Sequence, residues 1–267
     1  MADTRVPAPR TARERARAEL TREIKEEARR QLATAGANGL SLRAVARALG
    51  MVSSALYRYY PSRDDLLTAL IIDAYNALGE AAEQAIAPPA GAAPPAGAAA
   101  GDGTGDGTAR ARWTASCSAI RDWARANPHE YALIYGSPVP GYRAPEATVG
   151  PASRVPLAFV SLLVSAAASG ELASGEAAGG AAAGAGGGRA VPLPADGELA
   201  AQAASLAALL GTADVPPEAL VRAVIAWTQL FGMISFELFG QFVGSFDPPD
   251  AFFAHAVAQF AAFVGFR

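Results

Sequence analysis

The chain is poor in the side chains that catalysis needs and rich, over one short stretch, in hydroxyls and guanidinium groups. Its single Cys (Cys117) and two His (His129, His255) exclude a disulfide framework and a Cys/His zinc site. No paired carboxylates and no nucleophile–base set stand together, so an enzyme is the weakest reading, and neither a metal nor a cofactor is expected. Between residues 41 and 63, by contrast, lie Ser41, Arg43, Ser53, Ser54, Tyr57, Arg58, Tyr59 and Arg63. These are hydrogen-bond donors, and what they can bind depends on the elements that hold them.

The spacing in residues 41–60, SLRAVARALGMVSSALYRYY, supplies those elements. Ser41 can N-cap a short helix that stops at Gly50, and Ser53 a second that ends before Pro61. Ala46 is small where the helices cross, and Gly50 takes the positive φ that reverses the chain. Val45, Leu49 and Leu56 fill the core between them. This is a helix-turn-helix, with residues 53–59 as its second helix. Ahead of it, Leu20, Ile24, Ala28 and Leu32 share a helix face that Gly36 ends. After it, Ser62 and Asp65 open a longer helix through Leu66, Leu70, Ile71 and Leu78. Further helices are predicted around Trp113–Trp123, Tyr131–Tyr135, Val155–Val164, Glu198–Leu210, Pro217–Phe242 and Pro249–Val264. The fold class is all-α.

Two low-complexity segments interrupt these helices. Residues 87–109 contain only Ala, Gly, Pro, Asp and Thr, and residues 170–197 hold 9 Gly in 28 positions. Neither can bury enough apolar surface to offset ordering entropy, so both are expected to be flexible. The expected organisation is a flexible basic arm over 1–18, a helix-turn-helix domain over 19–65 and a helical domain over 66–267. The net charge of -3 hides a division. Residues 1–75 carry 13 Lys+Arg against 9 Asp+Glu, and residues 76–267 carry 9 against 16, giving +4 and -7. The longest apolar stretch, Ala223 to Phe236, is 14 residues, short of the roughly 20 of a membrane span, so no membrane association is expected. A lone Cys without an export signal fits a cytoplasmic protein.

The stretches Gly36-Ala-Asn-Gly-Leu-Ser-Leu42, Leu49-Gly-Met-Val-Ser53, Leu56-Tyr-Arg-Tyr-Tyr60 and Pro61-Ser-Arg-Asp-Asp-Leu-Leu67 together carry a resemblance to the TetR family of transcriptional regulators. It covers about residues 21–75, with Met51 read as an extra residue in the turn and Arg63 standing where Lys is usual. The resemblance implies a homodimer that binds a double-stranded DNA operator and responds to a small-molecule effector. It turns Ser53, Ser54 and Tyr57 toward the major groove, where hydroxyls reach base edges. Arg43 would touch a base or the backbone. Ser41, Arg58, Tyr59 and Arg63 would hold phosphates, helped by the helix N-termini at Ser41 and Ser62. For Tyr57 and Tyr59, a role as core aromatics stays open. For Arg5, Arg10, Arg13, Arg15 and Arg17 of the arm, minor-groove contact and a solvated tail stand side by side.

Residues 226–240 are similar to the TetR-type C-terminal domain named for Trp, His and Gly, with Trp227 and Gly232 present and Phe231 in place of His. The helix that contains them is apolar nearly all round and so needs burial on two sides. In TetR-like proteins the last two helices form a four-helix dimer interface, for which Gly232, Ser235, Phe239, Phe253 and Phe260 are candidates. Trp113, Trp123, Tyr131, Tyr135, Phe159 and Trp227 are either core or walls of an effector pocket. Glu237, a carboxylate in an apolar run, is costly unless paired or wetted. It is expected to pair with Arg222 or Arg125, to cap a dimer contact or to face a ligand. The resulting expectation is a repressor released from a near-palindromic operator by a small molecule. The alternative is an effector-independent DNA-binding protein whose C-terminal half only dimerises.

Overall fold

The computed structural model describes residues 11–87, 108–173 and 197–267. Arg5, Arg10 and most of the two low-complexity segments lie outside the described residues. Among those described there are ten α-helices and no strand. They are α1 (Ala12–Ala35), α2 (Leu42–Ala48), α3 (Ser53–Leu56), α4 (Arg63–Ile86), α5 (Ala109–Ala126), α6 (Pro128–Tyr135), α7 (Val149–Ala168), α8 (Glu198–Leu210), α9 (Pro217–Leu238) and α10 (Asp250–Val264). The chain divides into two compact units, one of residues 1–74 with 129–148 and one of residues 75–128 with 149–267. Helix α4 contributes its first half to the former and its second half to the latter.

The first unit begins earlier than expected. The Thr11 hydroxyl accepts from the Glu14 amide while the Glu14 carboxylate accepts from the Thr11 amide, a reciprocal cap that starts the helix at Ala12. Residues 12–18, expected in the arm, are therefore the first turns of α1. Ile24, Ala28 and Leu32 of α1 close over Leu42, Val45, Ala46, Leu56, Leu66 and Leu70, all buried. Around this core, Asp73 of α4 accepts from Lys25 at 2.8 Å and from Arg29 at 3.0 Å, and Arg29 also donates to Glu130 of α6 at 2.7 Å. These part-buried pairs tie α6 to α1. Residues 129–148 thus pack with the first unit, where the sequence boundary put them with residues 66–267.

The second unit is built around Trp113, which is buried with its ring 4.8 Å from Phe159 and 5.8 Å from Phe266 and its indole N–H donating to the Val257 carbonyl. Leu172 and Ala173, within the segment expected to be flexible, are buried: Leu172 pairs with Phe266 and the Ala173 amide donates to Gly265. Helix α9 ends at Leu238, four residues before the expected Phe242, and the chain turns at Gly240 with φ 76°. By length and composition, the 146–168 segment and α9 could each cross a bilayer (mean hydropathy 1.4 and 1.5), a length the uninterrupted-run count missed. Core helices meet that test equally, and half of the apolar window of α9 is buried within the protein.

Candidate functional site

The helix-turn-helix is assembled by local hydrogen bonds. The Ser41 hydroxyl accepts from the Ala44 amide, capping α2, and the Ser41 amide donates to the Gln31 side chain of α1. At Gly50, φ is 67°, and the Met51 amide returns to the Ala46 carbonyl. Val52, not Ser53, occupies the N-cap of α3 and offers no side-chain bond. Ser53 is therefore the first residue inside α3, a correction to the cap read from sequence. The α-helix proper is a single turn, extended by Tyr57, Arg58, Tyr59 and Tyr60 donating back to Ser53, Ala55 and Leu56. Leu56 is fully buried beneath it.

What remains outward is a compact donor surface. Arg43, Ser54, Tyr57 and Arg58 are exposed, and Ser41 and Ser53 are half-buried. Arg43 and Arg58 make no ion pair among the described residues. Ser41, Arg43, Tyr57 and Arg63 line one open depression of about 450 Å³ with Pro61 and Ser62. Arg63 is partly committed elsewhere, donating to the Ala37 carbonyl at 2.7 Å and to Asp64 at 3.3 Å. The Tyr59 ring is half-buried under the Arg17 guanidinium, 5.6 Å from its centroid. Two residues of this surface escaped the sequence reading. Arg47 is exposed one turn after Arg43, and Val52 is 70% exposed. The signal for Arg47 was its i+4 spacing; an apolar N-cap gave none.

In the second unit, a cavity of about 220 Å³ lies among α7, α8 and α9, with Phe159 and Trp227 on its wall. The other aromatic candidates lie elsewhere. Trp113 is core and Trp123 is half-exposed on α5, while Tyr131 and Tyr135 belong to the first unit with rings 5.3 Å apart. Glu237 is not on the cavity either. Its two oxygens accept from Arg121 at 2.7 and 2.9 Å, and Arg125 approaches to 3.7 Å. Burial works against the Arg121 charge, but Glu237 and then Asp250 outweigh it and hold the guanidinium firmly protonated. The expected partner Arg222 instead donates to the Glu218 carbonyl of its own helix. Cys117 is buried, and burial pushes its thiol well up, as suits core filler.

Residues 24–70 match the description "Bacterial regulatory proteins, tetR family", and residues 113–260 match "Tetracyclin repressor-like, C-terminal domain". The HTH-type transcriptional regulators Rv1816 of Mycobacterium tuberculosis and Mb1846 of Mycobacterium bovis are each 36% identical over 232 residues, covering 85% of this chain and 84% of theirs. The chain belongs to the TetR family. The crystal structure of the protein SCO4313 superimposes with a TM-score of 0.64 at 33% identity, covering 94% of this chain and 98% of that one. A protein of unknown function from Rhodococcus sp. RHA1 shares the fold at 22% identity, with a TM-score of 0.60 over 95% and 96% of the two chains. As a TetR-family protein the chain is a transcriptional regulator with a DNA-binding helix-turn-helix, and not an enzyme.

The dimer candidates of this TetR chain divide by exposure. Gly232 is exposed with open space where a side chain would stand, Phe239 is 47% exposed, and Ser235 and Phe260 are half-buried. Phe253 is buried in the unit's own core, its ring 4.5 Å beneath Arg121, and so cannot form an outer face. The exposed residues of α9 continue through Val224, Ile225 and Phe236, each more than 40% exposed. Successive members of this set fall on one side of the helix.

Proposed function

We propose that the chain is a dimeric, ligand-responsive repressor that grips a near-palindromic operator through α2, the turn and α3. A small molecule in the α7–α8–α9 cavity releases it. The observation that carries the DNA-binding half is the outward donor surface of Arg43, Ser54, Tyr57 and Arg58, whose guanidinium groups meet no carboxylate among the described residues. Tyr57, Ser53 and Ser54 read base edges, and Val52 offers an apolar contact of the kind a thymine methyl accepts. Ser41, Arg43, Arg58 and the N–H groups of Arg63 not given to Ala37 and Asp64 hold phosphates, while Tyr59 is chiefly the packing surface for Arg17. Two such heads, about 34–36 Å apart in a twofold dimer, span one turn of DNA. Such a repressor works in the cytoplasm.

Release follows the covalent path of α4. Arg154 of α7 is one residue from the cavity-lining Ser153 and donates to both oxygens of Glu83 and to the Asn76 carbonyl of α4. An occupant that displaces α7 therefore biases α4, whose first half belongs to the DNA-binding unit, and operator affinity changes by population shift.

Gel shifts on the DNA beside the protein's own gene test the reading head. Tyr57→Ala and Arg58→Ala each lower operator affinity about tenfold or more while sedimentation still reports the wild-type mass. If both variants bind as the parent does, the DNA surface is not α3.

A further inference from the structure

Helix α1 begins well before the matched DNA-binding domain. The match opens at residue 24, while the reciprocal cap between Thr11 and Glu14 starts the helix at Ala12, about three turns earlier. We infer that these added turns are a second DNA-contacting element, in which Arg13 and Arg17 hold backbone phosphates beside α3 and Tyr59 positions Arg17 to do so. The inference rests on α3 being the reading helix, and it extends the interface to α1. Its geometry follows from the helical repeat. Ile24, Ala28 and Leu32 face the core, and the same stripe continues toward the N-terminus through half-buried Leu20 to Arg17 and Arg13, both exposed. The apolar stripe thus turns basic where α1 runs off the core.

The second observation fixes where that basic row lies. The Arg17 guanidinium sits 5.6 Å from the centroid of the Tyr59 ring, two residues after Tyr57, so the row passes the end of α3. A cation held against an aromatic face keeps its place, and its N–H groups stay available to an acceptor. Neither Arg13 nor Arg17 makes an ion pair or a side-chain hydrogen bond among the described residues. The nearby carboxylates are already spent, Glu14 on the Thr11 amide and Glu19 on Arg22. Arg13 stands one turn beyond Arg17, roughly 6 Å further along the axis. Arg15 points the other way, about 200° round the helix from each. A helix roughly 10–12 Å across does not enter a minor groove about 6 Å wide. The row therefore meets the phosphate rim and adds affinity without base preference.

The test measures binding of the full-length protein by fluorescence anisotropy between about 50 and 200 mM KCl. Two duplexes are used, the DNA beside the protein's own gene and a scrambled duplex of equal length. Arg13→Ala and Arg17→Ala should each make the slope of log K against log salt shallower by about 0.9 for every protomer bound. Both should weaken the two duplexes by the same factor, leaving their ratio at the parent's value. Arg15→Ala should keep the parent's slope. Tyr59→Ala, with native helicity confirmed, should reproduce the Arg17→Ala slope, and combining the two should add nothing further. Tyr59→Phe keeps the ring and should keep the slope. Parent-like slopes in both Arg13→Ala and Arg17→Ala overturn the inference, as does an equal drop for Arg15→Ala, the mark of diffuse charge. A Tyr59→Phe slope as shallow as that of Tyr59→Ala gives the phosphate to the tyrosine hydroxyl and overturns the positioning role. A changed ratio between the duplexes overturns the phosphate assignment. Tyr57→Ala in the same assay separates the two levels. If it binds as the parent does, the α3 reading on which the inference stands is removed. Parent-like slopes in the arginine variants beside a weakened Tyr57→Ala remove the α1 contact alone.

Discussion

A carboxylate near the end of an apolar helix persists only if something holds its charge, and for Glu237 that is Arg121. Both side chains are about nine-tenths buried, and the pair is bidentate, with Phe253 beneath the guanidinium. Removing one partner strands the other, so Arg121→Ala should destabilise the protein by about 3–5 kcal/mol in urea unfolding. Replacing both, as Arg121→Met with Glu237→Leu, should recover most of that loss. Recovery would show that the single variant suffers from an orphaned charge and not from a missing contact. Tyr60 offers a pH counterpart. Burial, with Asp73 adding to it, pushes its hydroxyl from 10 up to about 12. Between those values the unfolded chain has lost the proton that the folded chain still keeps, so stability falls as pH rises through that window. Tyr60→Phe should flatten this alkaline decline, read as the difference in unfolding midpoint between variant and parent across the window.

At the scale of elements, the α4–α7 crossing depends on an absent side chain. A Cβ on Gly79 would stand 2.6 Å from the Cβ of Arg154. Gly79→Ala should therefore force the helices apart, cost about 1–3 kcal/mol in thermal or urea unfolding and loosen the Arg154 bonds to Glu83 and Asn76. How far elements were readable from sequence follows from how local their causes are. Caps at Ser41 and Ser62 and turns at Gly36 and Gly50 involve partners within a few residues, and these helix limits fall where expected. Helix α8, expected around Glu198–Leu210, also spans those residues, although no side chain caps its start. Rotation and partnership were not legible. Arg29 and Glu130 are 101 residues apart, and Arg121 and Glu237 are 116 apart. Nothing within α9, apolar nearly all round, chose Arg121 over Arg125 or Arg222. The same even apolarity in α10 left Phe253 looking as fit for an outer face as Phe260, where packing under Arg121 sends it inward. At the reading head, the serine pair misled because either Ser53 or the residue before it can start the turn, and the backbone settles on Val52.

At the scale of the whole molecule, the sequence separates a net +4 over residues 1–75 from -7 over the remainder, which confines attraction for phosphate to the segment that holds the helix-turn-helix. A single head of that charge is expected to bind DNA weakly and with little discrimination, and in the proposed dimer strength comes from linking two. The surface available for the link is the outer side of α9, where Ile225, Phe236 and Phe239 are each more than 40% exposed around Gly232. In a twofold interface every residue appears twice, so a carboxylate placed there meets both an apolar partner surface and its own like-charged copy. Ile225→Asp with Phe239→Asp should halve the mass in analytical ultracentrifugation while leaving helicity intact. Because the second half-site is then no longer held at high effective concentration, operator affinity should fall by about 10²–10⁴-fold. Affinity for an isolated half-site should be preserved. A double variant that stays dimeric would place the interface on another face. A monomer that still binds the full operator tightly would show that one head suffices, and the near-palindromic operator would lose its rationale.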